Sequence, residues 1–224
     1  MAVLHSGFVV YFPYHADGKT RFMRAAGPVA AKWFKQSPWT PLKKIPRTCQ
    51  SALIASEDGQ FFQHWGIDKK GIEHAMEKNL KRGKIRHGGS TLTQQVVKNV
   101  FLSRSKSYVR KSREAIGALM LDRIMSKHSQ MEWYFNVVEF GPEQYGIDKA
   151  AAYYFKKKPQ NLTPTECVAL ISLLPSPVKM GRALKEHRPN RQLESRANRL
   201  ARLLEKNAAI SSSEAAVAAL LGTN

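Results

Sequence analysis

Apolar positions recur at helical spacing through most of the chain, and no alternating run is long enough to read as a strand. The run Ala52-Leu53-Ile54-Ala55 reads as a helix on which Cys49, Leu53 and Glu57 share one face, with Gly59 placed to end it. Asp68 can cap a helix over Lys69–Arg82, with Ile72, Met76 and Leu80 on one face and Gly83 at its end. Thr91 and Gln94 match a capping box, so another helix starts there and runs towards Phe101. The next, near Ser107–Met125, carries Val109, Ile116, Leu119, Met120 and Ile124 at core spacing. A dense aromatic segment opens at Met131 and stops at Gly141-Pro142, and the small-residue stretch Gly146–Phe155 suits close packing. Thr163-Pro164-Thr165-Glu166 is a capping box with proline at the first helical position, and Pro175 ends that helix. Arg191–Lys206 forms a basic amphipathic helix, and Ser211-Ser212-Ser213-Glu214 caps a last one. Residues 1–38 form an approach segment with a short helix near Ala25–Lys35, and Trp39–Pro46 is extended, because residues before proline avoid the α region. There is no internal repeat, and the fold class is mainly α.

Composition adds three limits. The 224 residues suffice for one large domain, or for one domain with a small lobe, and 43% apolar with 9% aromatic content argues against disorder. The net charge of +19 predicts an anionic partner: nucleic acid, an acidic membrane surface or a phosphate-bearing substrate. Cys49 and Cys167 lie on apolar helical patterns, so buried thiols are expected rather than a disulfide, and no ligand spacing supports zinc. No apolar run approaches the roughly 18 residues that span a bilayer. The expectation is a peripheral protein, or one whose membrane anchor has been removed.

The candidate chemistry gathers around two carboxylates. Glu57 ends an apolar stripe at the C-terminal end of a helix, where desolvation and the helix dipole should both favour its protonated form, as suits a general base. On these residues alone a solvated Glu-Asp pair at a helix end is the favoured reading, and the rest of the chain reverses it. Glu114 lies off the apolar stripe of its helix, with Arg110 one turn back and Gly117 and Ala118 one turn on, which leaves room for a ligand. The glycine-rich basic loop 83–89 leads into the helix that begins near Ser90-Thr91, and a helix N-terminus behind glycines is a ready anion site. Thr91, Gln94, Gln95 and Lys98 line one side of that helix. From Lys69 to Arg113 there are thirteen Lys or Arg against two acids, Glu73 and Glu77, so the charge flanks this chemistry.

The segments Glu57-Asp58-x-x-Phe61-x-x-His64-x-Gly66, Gly88-Gly89-Ser90-Thr91-Leu92-Thr93-Gln94-Gln95-x-x-Lys98-Asn99 and Arg110-Lys111-x-x-Glu114 resemble the first three motifs of the family 51 peptidoglycan glycosyltransferases. Glu132-x-Tyr134-x-Asn136 and Gly146-x-x-x-Ala150-Ala151-x-x-Tyr154-Phe155 resemble the fourth and fifth. The likeness runs in order from about Trp39 to about Leu220 and is closer to the monofunctional, biosynthetic members than to the bifunctional penicillin-binding proteins. It implies a lysozyme-like helical head over residues 39–224 with a small membrane-facing jaw lobe, placed at roughly 67–107. It also implies polymerisation of lipid II into β-1,4 glycan strands with inversion and release of undecaprenyl pyrophosphate. Glu57 is then the general base on the acceptor 4-hydroxyl, and Glu114 lies by the donor pyrophosphate. Ser90, Gln94, Gln95, Lys98, Lys106, Arg110 and Arg113 would hold the diphosphates.

The implied partners are lipid II, the growing glycan chain, an anionic membrane surface and other cell-wall synthesis proteins. The implied location is the periplasmic face of a bacterial inner membrane. Nucleic acid is not expected, because residues 69–100 hold no aromatic side chain on which bases could stack. No cofactor is required, although a divalent cation, magnesium or manganese, could accompany the substrate diphosphate. The chain departs from the family pattern at three places: Lys156 where glycine is usual, His128-Ser129-Gln130-Met131 before the fourth motif, and Phe135 where leucine is common. These are expected to touch packing and not chemistry. The rival readings are a lysozyme-like glycan hydrolase, which also uses paired carboxylates, and a non-enzymatic homologue that binds anionic lipid.

Overall fold

A computed structural model describes residues 3–5, 8–10, 39–82, 89–101, 108–188 and 190–206. Among these residues nine α-helices dominate: α1 (Arg47–Glu57), α2 (Lys69–Arg82), α3 (Leu92–Phe101), α4 (Tyr108–Ile124), α5 (Lys127–Val137), α6 (Ile147–Phe155), α7 (Pro164–Ser172), α8 (Pro177–Lys185) and α9 (Arg191–Lys206). The mainly α, lysozyme-like class expected from the sequence holds. The helix proposed near Ala25–Lys35, the loop residues 83–88 and the last capped helix lie outside the described residues. Two short hairpins were not anticipated: β1 (Val3–His5) with β2 (Phe8–Val10), and β3 (Glu139–Gly141) with β4 (Gln144–Tyr145), both antiparallel. Strands of two or three residues carry no readable alternation. Helix α8, which follows Pro175 and opens on Pro177, was also missed.

The chain divides into two compact units. The first holds Gln60–Gln130 with the N-terminal hairpin, and the second holds Trp39–Gly59 and the chain from Met131 onward. In the first, Leu92, Val96, Val97 and Val100 of α3 are buried, as are Ala118 and Leu121 of α4, on which α3 packs. The stripe expected to be the core of α4 is instead exposed: Val109, Ile116, Leu119, Met120 and Ile124 face outward, and Glu114 is buried. Gly117 and Ala118 do not make room for a ligand. A β-carbon on Gly117 would lie 2.7 Å from Val97 Cγ1, and one on Gly66 would lie 2.5 Å from the Ala118 carbonyl oxygen. The small residues of α4 admit α3 and the turn at Gly66, whose φ of +77° favours glycine.

Gln130 is more than a packing residue. Fully buried, its side-chain oxygen accepts from Thr93 Oγ1 at 2.7 Å, and its nitrogen donates to Asp122 at 3.0 Å and to the Met125 carbonyl at 2.8 Å. The capping boxes stand as expected, with Thr91 N–H donating to Gln94 Oε1 and Gln94 N–H to Thr91 Oγ1. Asp68 caps the first turn of α2 through the Gly71 N–H at 2.8 Å.

In the second unit α1, α7 and α9 pack on one another. Their contact faces are Cys49, Ala52 and Leu53 of α1, Cys167 to Ile171 of α7, and Leu193, Ala197, Leu200, Ala201 and Leu204 of α9. Cys49 and Cys167 are joined as a disulfide, with Cα atoms 4.7 Å apart, contrary to the expectation of free thiols. A sequence separation of 118 residues hid the pairing, which depends on the packing of α1 on α7. Closing a loop of that length stabilises a fold by about 4–5 kcal/mol on the chain-entropy account. The segment before α1 is extended at Pro41 and Ile45, but Leu42–Lys44 turns as a 3-10 helix between them. Glu132 of α5 holds that turn, accepting from Trp39 Nε1 and the Leu42 N–H, each at 2.7 Å. Asn136 adds bonds in both directions with Thr40. The fourth motif thus fixes the strand of chain that delivers α1.

Gly146, at φ +84°, begins α6 where a β-carbon would meet the Asn136 carbonyl oxygen at 2.8 Å. At the other end of α6 Lys156 adopts φ +58°, the left-handed conformation that caps helices and favours glycine. That backbone requirement accounts for the glycine usual at this position and places the lysine at a helix cap.

Candidate functional site

Two charge clusters carry the sequence-predicted chemistry, one in each unit. In the first unit α3 and α4 bring Ser90, Lys111, Arg110 and Glu114 together. The Glu114 carboxylate is only 3% exposed. Lys111 Nζ donates to Glu114 Oε1 at 2.5 Å and to Ser90 Oγ at 2.8 Å. Arg110 Nη1 approaches Glu114 Oε2 at 3.5 Å. A buried carboxylate is tolerable only with such counter-charges. Lys111 therefore links the start of α3 to Glu114, a role the sequence reading did not assign it. Its i−3 spacing from Glu114 was the available signal.

The remaining candidates of this unit are distributed unevenly. Gln94 is buried, and its side-chain oxygen completes the α3 cap. Gln95 and Lys98 are half-buried on α3, and Arg113 is exposed on α4. Lys106 lies outside the described residues.

In the second unit Glu57 is the last residue of α1, and Asp58, at φ −161° and ψ 77°, caps the helix in place of Gly59. Cys49 and Leu53 are buried on its face, and Glu57 itself is half-buried, as the i, i+4, i+8 spacing requires. The residue that meets it was not anticipated. Arg196 of α9 donates from Nη2 to Glu57 Oε1 at 2.6 Å and to Ser56 Oγ at 2.7 Å. Ser56 Oγ in turn donates to the same Glu57 oxygen at 2.9 Å. Burial draws the Arg196 guanidinium below its ordinary range, and the Glu57 carboxylate opposes that shift. Tyr134 of α5, from the fourth motif, is fully buried. Burial pushes its phenol well above the ordinary range, the Glu57 charge adds to the push, and Arg196 opposes it. Nothing local marks Arg196, which lies 139 residues from Glu57.

Among the described residues no group of three or more His, Cys, Asp or Glu is placed to hold a metal ion. No helix of the described residues is long and apolar enough to cross a membrane.

Residues 27–205 match the transglycosylase family. A biosynthetic peptidoglycan transglycosylase of Acinetobacter baylyi is 43% identical over 142 residues, covering 63% of each chain. Proteins of the same description from Chromobacterium violaceum and Paraburkholderia xenovorans are 39% and 42% identical. They align with 81% and 75% of this chain, and with 80% and 68% of their own lengths.

Proposed function

The chain belongs to the transglycosylase family of peptidoglycan glycosyltransferases, and from that premise we propose that it polymerises lipid II into β-1,4 glycan strands with inversion and release of undecaprenyl pyrophosphate. The observation that carries this reading is Glu57, a half-buried carboxylate held by Arg196 and Ser56 at the end of a core helix. In the proposed step Glu57 takes the proton of the acceptor N-acetylglucosamine 4-hydroxyl. The acceptor oxygen bonds to the donor anomeric carbon, and the pyrophosphate leaves with the electron pair of the broken bond.

A diphosphate is already a good leaving group, so the reaction needs a base and positive charge; it does not need the carboxylic acid a glycosidase uses. Lys98, Lys106, Arg110 and Arg113 supply the charge, with Ser90, Gln94 and Gln95 at or near the α3 N-terminus. Glu114 acts by holding Lys111 and Arg110 in place. Magnesium or manganese, where used, enters with the substrate diphosphate and not as a resident ion.

The lipid tail of the substrate sets a second requirement. Exposed Val109, Ile116, Leu119, Met120 and Ile124 on α4, with Met76 and Leu80 on α2, form apolar surface in the same unit as the basic residues. Together they suit an anionic membrane. Val100 of α3 is buried and Ile72 of α2 is half-buried, so neither adds to that surface. The side chains of Ile85, Phe101 and Leu102 lie outside the described residues. A periplasmic location also suits the Cys49–Cys167 disulfide, since oxidising compartments preserve such bonds. The discriminating experiment incubates the chain with lipid II and, separately, with sacculi, and resolves the products by size. Lengthened glycan from lipid II supports the transferase; shortened glycan from sacculi without polymerisation supports the hydrolase.

A further inference from the structure

We infer that Gln130 of α5 is a positioning residue for the start of α3, acting through the Thr93 hydroxyl. The inference rests on the proposed reading of that helix start as the site of the substrate diphosphate. Gln130 stands in one of the segments where the chain departs from the family pattern, and both it and Thr93 are fully buried. Its amide is oriented by its neighbours. The Asp122 carboxylate and the Met125 carbonyl both accept, so the amide nitrogen faces them, at 3.0 Å and 2.8 Å. The amide oxygen is thereby turned to Thr93 Oγ1, 2.7 Å away, and the hydroxyl must donate. Asp122 is itself paired with Lys127 at 2.6 Å, and the Lys127 ammonium lies 4.7 Å from the centre of the Phe61 ring.

Thr93 belongs to the first turn of α3, and a second contact holds that turn from the other side. Thr91 Oγ1 donates to the Gly66 carbonyl at 2.7 Å, and residues two apart on a helix point about 200° from each other. The first turn is therefore clamped between the Gly66 turn and the corner where α4 meets α5. Lys127 over the Phe61 ring joins those two mounts. What the clamp carries is part of the charge cluster: Ser90, just before the turn, accepts from Lys111 Nζ at 2.8 Å. The N–H groups of a first turn point along the helix axis to whatever sits at its start. A shift or rotation of α3 consequently moves those donors and Ser90 together.

Stability alone does not call for this pair. Replacing both partners of a buried hydrogen bond by apolar groups of the same shape is nearly neutral, whereas removing one partner strands the other. Leu92, Val96, Val97 and Val100 already supply the apolar burial of α3. What the polar pair adds is direction, because a hydrogen bond fixes the rotation and depth of the helix where apolar packing permits slip. Donors aimed at an anion work by preorganisation, and misplacement of about 1 Å can cost on the order of 100-fold.

The test measures lipid II polymerisation, inhibition by inorganic pyrophosphate and thermal melting for three variants: Gln130→Leu, Thr93→Val combined with Gln130→Leu, and Thr93→Ser. Gln130→Leu should raise KM and the pyrophosphate inhibition constant together by about tenfold, with kcat within roughly threefold. Contacts made to the diphosphate in ground and transition state alike appear in KM. The melting temperature should also fall, because Thr93 loses its acceptor. The double variant separates the two effects: its melting temperature should return towards that of the parent while both constants stay raised. Thr93→Ser, which keeps the hydroxyl, should match the parent in both constants within about twofold. A double variant whose constants recover along with its melting temperature overturns the inference, since that pattern marks Gln130 as a packing residue only. So does a Gln130→Leu enzyme with the parent constants. Pyrophosphate that fails to inhibit the parent enzyme defeats the underlying diphosphate reading instead, and is distinguishable because no variant is involved.

Discussion

Helices α4 and α9 are both long, basic and amphipathic in sequence, yet they bury opposite kinds of residue. On α9 the expected rule operates: Leu193, Ala197, Leu200, Ala201 and Leu204 are buried, and most of its charges face water. On α4 the rule is inverted, with Glu114 buried among cations while Val109, Ile116, Leu119, Met120 and Ile124 are exposed. The hydrophobic effect alone would have rotated α4 to bury that aliphatic face. Small residues at Gly117 and Ala118, packed on Val97 and the Gly66 turn, hold it in the other orientation. An inverted helix gives up apolar burial to place a charge cluster and an apolar surface, the two features the proposed function assigns to substrate and membrane.

Substitutions can break this comparison. The largest effect on stability is expected at Leu200 on α9, where Leu200→Ala should cost about 2–5 kcal/mol in a denaturant titration, as for other buried leucines. Next comes Glu114→Gln, which leaves Lys111 and Arg110 without their carboxylate. A stability loss of roughly 1–3 kcal/mol is expected, with a lipid II turnover defect larger than that of an exposed-lysine control such as Lys156→Ala. The smallest stability effect is expected on the inverted face. Ile116→Ser with Leu119→Ser should change stability by no more than about 0.5 kcal/mol per site, yet remove the salt-resistant part of binding to anionic vesicles. A large loss of stability there, with vesicle binding intact, would show that this face is covered by protein and not by lipid.

Helix positions were legible because capping chemistry is local. Thr91 with Gln94 and Thr163 with Glu166 announce their helices within four residues, and both boxes are formed. Gly59 marked the end of α1 to within two residues, and the basic amphipathic pattern marked α9 over Arg191–Lys206. The five motifs also marked Ser90, Arg110 and Glu114, which the fold does gather. What failed was orientation and long-range pairing. Periodicity identifies an apolar face without saying what covers it, so α4 was read as a core helix. The Cys49–Cys167 bond and the Arg196–Glu57 contact join positions 118 and 139 residues apart, where no local pattern connects the partners. Short hairpins such as β3 with β4 are too brief to register as alternation.

The central claim is that Glu57 is the base of a glycosyl transfer, and Glu57→Gln tests it most directly, with polymerisation and lipid II binding measured on the same preparation. General base catalysis contributes typically about 10²–10⁴-fold, so the variant should lose turnover on that scale while its melting temperature and its affinity for lipid II stay near those of the parent. Glycan synthesis at close to the parent rate by a folded Glu57→Gln protein would contradict the claim.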